Sequence, residues 1–172
     1  SVLCAMDKRV RGNGLEAAKV IETAVKDTLE AGLVARINLI LFYPSTTIEA
    51  LRVTIDKSVE LIQKGAIFDP FTYVEAYRGA SILRKGYLIR CKACSVNSSL
   101  VMFPDFLELR DPIVRDIARR ATGAKPHIDR QVKAQYGIRG NLPSPINTLT
   151  LFKSIYLSAG LDVSKIDRAI DD

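Results

Sequence analysis

The sequence predicts an α/β fold with parallel strands, followed by a mainly helical C-terminal part. Three observations predict it. Residues 15 to 77 alternate between helical and extended hydrophobic patterns, in the order helix, strand, helix, strand, at the spacing of a crossover between parallel strands. The first strand, 35 to 42, is largely apolar on both faces, as a parallel strand covered on both sides must be. Beyond Leu83 the extended patterns stop; an irregular stretch to residue 110 gives way to short helical segments.

Each element has its own local warrant. Over 15 to 31, Leu15, Ala18, Ile21, Val25 and Leu29 recur at helical spacing; Asn13 or Gly14 suits the start and Gly32 the end. On strand 35 to 42, alternation puts Ile37, Leu39 and Leu41 on one face and Arg36, Asn38, Ile40 and Phe42 on the other. Arg36 and Asn38 are its polar exceptions and share a face. Pro44 closes the strand, and Thr46-Thr47-Ile48-Glu49, a Thr three residues before a Glu, reads as a capping box. The helix it opens runs over 47 to 64 with Ile48, Leu51, Ile55, Val59 and Ile62 on one stripe, crosses the outer face of the sheet, and ends at Gly65.

A second strand is expected over 71 to 77, parallel to the first, with Tyr73, Glu75 and Tyr77 on one face. A carboxylate on such a strand needs a partner or a ligand. Glu75 therefore implies either a salt bridge with Arg36 or a polar cavity on a concave face, lined by Arg36, Asn38, Tyr73, Glu75 and Tyr77. Four helices are expected in the C-terminal part, at 112–122, 127–136, 147–159 and 163–171. Asp111-Pro112 starts the first and Gly123 closes it; Asn147 caps the third and Gly160 ends it.

Composition narrows the function classes. The 172 residues, 48% of them hydrophobic, suffice for one domain, or one with an appendage, and a real core. No apolar run approaches the ~20 residues of a membrane span, and the start has no basic-then-apolar signal pattern. Three cysteines cannot all pair, so a reducing, cytoplasmic setting is expected. The net charge of +6 is spread along the chain, which favours a solvated basic surface over a nucleic-acid partner. Cys91 and Cys94 form a C-x2-C pair, but only Cys4 and His127 could extend it, and neither has motif spacing; incidental thiols are the simpler reading, and no metal ligand is assigned. His127 has no local nucleophile beside it and reads as a helix-start residue.

The stretch "INLILFYPSTTIEALRVTIDKSVELIQKG" resembles the fifth strand and following helix of radical S-adenosylmethionine (SAM) enzymes, with Asn38, Pro44 and Thr47 at matching places. The opening "VLCAMDKRVRGNGLEAAKVIETAVKDTLEAGL" is similar to the segment before it, through Leu3, Met6, Lys8 and Ala31–Gly32. "FTYVEAYRGASIL" resembles the sixth strand and its turn, through Gly79 and Leu83. The likeness covers roughly residues 1 to 85 and is nearest to members that carry a cobalamin-binding domain upstream. Phe42, Ser45 and Thr46 stand where the family has glycine, glycine and glutamate. Its C-x3-C-x2-C cluster motif belongs upstream of Ser1.

The resemblance implies a partial (β/α) barrel fragment over 1–85, the C-terminal half of such a barrel, with a mainly helical extension over 86–172. It implies SAM and a 4Fe-4S cluster as cofactors of the complete enzyme, cobalamin as a further candidate, and a missing N-terminal half as partner. It also implies a cofactor-binding set of Asn38, Ile40, Tyr43, Glu75 and Tyr77. Neither substrate nor catalytic residue is assigned. Two rival readings belong to other classes: a non-catalytic α/β module that binds a nucleotide or a protein, and a basic nucleic-acid-binding accessory domain, whose affinity would fall steeply with salt.

Overall fold

The structure, a computed structural model, describes residues 14–73, 76–77, 100–101, 109–136 and 144–171. Helix α1 (Gly14–Glu30) leads into strand β1 (Arg36–Phe42), helix α2 (Ile48–Gln63) and strand β2 (Ile67–Tyr73). Strands β3 (Ala76–Tyr77) and β4 (Leu100–Val101) form a minimal antiparallel pair. Helices α3 (Pro112–Tyr136), α4 (Pro145–Ala159) and α5 (Ser164–Asp171) complete the chain. The result is a mixed α/β fold, mostly helical, around a two-stranded parallel sheet. Two strands define no barrel. No described helix is long and apolar enough to cross a membrane.

Helices α1, α2 and α4 stop by one device. At the end of α2, Gly65 N–H donates to the Ile62 carbonyl and Ala66 N–H to the Leu61 carbonyl, with Gly65 at φ 101°. This is the Schellman arrangement, which satisfies the last carbonyls and needs a residue that tolerates positive φ. Gly32 and Gly160 close α1 and α4 with the same pair of bonds. At its start, α2 is capped by Thr47, whose hydroxyl accepts from Ala50 N–H at 3.1 Å. The cap is thus one residue later than the capping-box reading: Glu49 pairs with Arg52 at 2.7 Å, and Thr46 folds back on Tyr43.

Strands β1 and β2 pair in parallel, joined through α2, with Arg36 opposite Ile67, Asn38 opposite Asp69 and Phe42 opposite Tyr73. The parallel crossover is as expected, but β2 begins at Ile67 rather than 71 and ends at Tyr73. The Asp69-Pro70 dipeptide reads locally as a strand breaker. Proline is nevertheless tolerated where a strand has an open edge, and β2 pairs only with β1 among the described residues. Ile37, Leu39, Leu41 and Phe68 face the core, and Arg36, Asn38 and Asp69 the opposite side.

The C-terminal part departs from expectation at α3, one helix of 25 residues where two were predicted. Gly123 costs roughly 1 kcal/mol and an interior proline roughly 3 kcal/mol of helix propensity, so Gly123 and Pro126 read as a break. Tertiary packing outweighs them. Ile117 and Ile128 are both buried and lie eleven residues, about three turns, apart, so the helix keeps one face on the core through the proline. Helix α4 starts earlier than predicted: Ser144 is the N-cap and Pro145 takes the first turn, where a missing N–H costs nothing. Asn147 instead lies inside the helix, its amide donating to Asp129 at 3.1 Å.

One core joins the two parts. Leu41, Leu51, Ile55 and Val59 share it with Val114, Ile117, Leu149, Phe152, Ile155 and Ile166. Polar links reinforce it: Arg110 N–H donates to the Pro44 carbonyl at 3.0 Å, and the Thr148 hydroxyl to the Phe68 carbonyl at 3.1 Å.

Candidate functional site

The polar residues of β1 and β2 gather on the sheet face opposite Ile37, Leu39 and Phe68, a face that runs into the core at Phe42 near the strand tip. Alternation puts Arg36 and Asn38 on one side of β1, and the parallel register sets Asp69 beside Asn38 on the same side. Arg36 Nη2 meets Asp69 Oδ2 at 2.7 Å, with both side chains partly exposed. Arg36 is thus paired with Asp69, a position that the sequence reading had left outside the strand, while the expected pairing of Arg36 with Glu75 lies outside the described residues. A pair this exposed contributes at most about 1 kcal/mol. Its effect on the site is positional: it holds the guanidinium along the sheet beside the exposed amide of Asn38.

Further along the same face the surface becomes apolar. Ile40 is half-buried and Phe42 is fully buried. At the strand tip, Tyr43, Pro44 and Thr46 are buried as well. Tyr43 N–H donates to the Thr46 hydroxyl at 3.0 Å and Thr46 N–H to the Tyr43 carbonyl at 2.8 Å, a tight turn that Arg110 closes from the far part of the chain. Of the five residues implied as a cofactor set, then, Asn38 is open to solvent, Ile40 is partly open and Tyr43 is enclosed. Glu75 lies outside the described residues. Tyr77 belongs to β3, which pairs antiparallel with β4, and its side chain is not described.

A second polar cluster joins α4 to α2. The Tyr156 hydroxyl lies 2.7 Å from Asp56 Oδ1 and 3.0 Å from the Arg52 carbonyl, while Arg52 Nη1 donates to Asp56 Oδ2 at 3.1 Å. Burial, with the Asp56 carboxylate beside it, pushes the Tyr156 phenol above its ordinary value. The phenol therefore keeps its proton and donates a hydrogen bond to Asp56, which ties α4 to α2. Sequence reasoning missed it because the partners lie about a hundred residues apart; a tyrosine in an otherwise apolar helical stripe is the one local signal.

Cys4, Cys91 and Cys94 fall outside the described residues. His127 is exposed on α3, its Nδ1 3.2 Å from Arg130 Nη2. No group of three or more His, Cys, Asp or Glu able to hold a metal occurs among the described residues. The site that remains among the described residues is the sheet face that carries the paired Arg36 and Asp69, the exposed amide of Asn38 and the half-buried Ile40. Such a surface can bind a polar ligand with an apolar part; among the described residues it carries no nucleophile. The chain matches no protein-family model, no curated protein and no solved structure.

Proposed function

We propose that this chain is the C-terminal part of a radical SAM enzyme and contributes the adenosine side of the SAM pocket. The observation that carries the reading is the parallel β1–α2–β2 unit with Asn38 on the open face of its first strand, which agrees with the motif order Asn38, Pro44, Thr47. The open face fits part of SAM: Asn38 offers both a donor and an acceptor to a ribose or an adenine edge, and Ile40 offers an apolar wall. The Arg36–Asp69 pair keeps the two strands in register beneath it. The described residues do not fit an iron–sulfur cluster, which needs about four protein ligands. In this reading the cluster would be held by a preceding N-terminal half and would supply the electron that splits SAM into methionine and an adenosyl radical. The chain's own residues bind and orient, and the buried tip around Tyr43 excludes water from that end of the strand.

Two measurements test the reading together. Equilibrium dialysis with labelled SAM should give saturable binding to the folded chain, weakened by Asn38→Ala about tenfold, the size of one lost hydrogen bond to a ligand. Anaerobic reconstitution with iron, sulfide and strong reductant should yield no 5′-deoxyadenosine from this chain alone, and product once a cysteine-bearing N-terminal half is added. Sustained product from the 172-residue chain alone would overturn the placement of the cluster. SAM binding without turnover in the combined halves would favour a non-catalytic nucleotide-binding module instead.

A further inference from the structure

We draw no further inference here: the strongest candidate, the exposed apolar surface of Val20 and Ile21 on α1 with Leu33 and Val34 in the turn that follows it, carries nothing, because nothing in the structure shows what covers it.

Discussion

Glu60 shows how single residues tie the two parts of the chain together. Its carboxylate accepts from Lys165 of α5 at 2.9 Å and from Lys57 of its own helix at 3.0 Å. Lys165, and then Lys57, hold its pKa below the ordinary value of 4.5. A depressed folded-state pKa stabilises the fold fully above the unfolded value and ceases to do so as pH falls through the folded value. The contribution is therefore intact at neutral pH and lost below about 4.5. With both side chains near 40% exposed, solvent screening limits it to about 1 kcal/mol or less. Thermal unfolding at neutral pH should show Lys165→Ala less stable than the parent by up to a few degrees, and the difference should shrink below pH ~4. A difference that grows on acidification would remove Glu60 as its cause. None of this is visible in the sequence, because Glu60 and Lys165 are joined only by folding; Asn38 and Arg36, by contrast, were legible as a shared polar face from strand alternation alone.

At the level of elements, legibility followed the strength of local signals. The α2 boundaries came within a residue of those expected, since a Thr cap and a terminal Gly mark them chemically. The second strand was shifted by four residues because Asp69-Pro70 carries a turn signal that its pairing with β1 overrides. Helix α3 was split for the same kind of reason: Gly123 and Pro126 argue locally for a break, and only the core contacts of Ile117 and Ile128 argue against it. Gly123 has helical geometry, and an added Cβ there would meet nothing within 4 Å. Gly123→Ala should therefore stabilise the protein by about 0.5–1 kcal/mol, through helix propensity and reduced freedom of the unfolded chain. Urea denaturation measures it as a higher midpoint at unchanged slope; destabilisation would mean that the helix is interrupted at this position.

For the whole molecule, the shared core is the feature that local patterns could not predict. A division into residues 1–85 and 86–172 treats the C-terminal helices as an extension, yet Phe152 and Ile155 of α4 lie in one cluster with Leu51, Ile55 and Val59 of α2. Phe152 is fully buried, and its loss should cost about 3–5 kcal/mol. If the parts fold as one unit, Phe152→Ala should shift a single cooperative transition seen identically by far-UV circular dichroism and by tyrosine fluorescence. Two separated transitions, with only one displaced, would show two independent units.

We propose that this chain continues a radical SAM barrel whose cluster-binding half precedes it. The polar sheet face, the parallel crossover and the motif order support that reading, and all three would be met by a binding module that lacks a cluster. Sequencing the messenger RNA upstream of the Ser1 codon separates the two most directly. The expected result is an open reading frame, continuous with this chain, that encodes a C-x3-C-x2-C motif in a preceding strand–loop unit. A reading frame that starts close to Ser1, or one that extends upstream without those three cysteines, would contradict it.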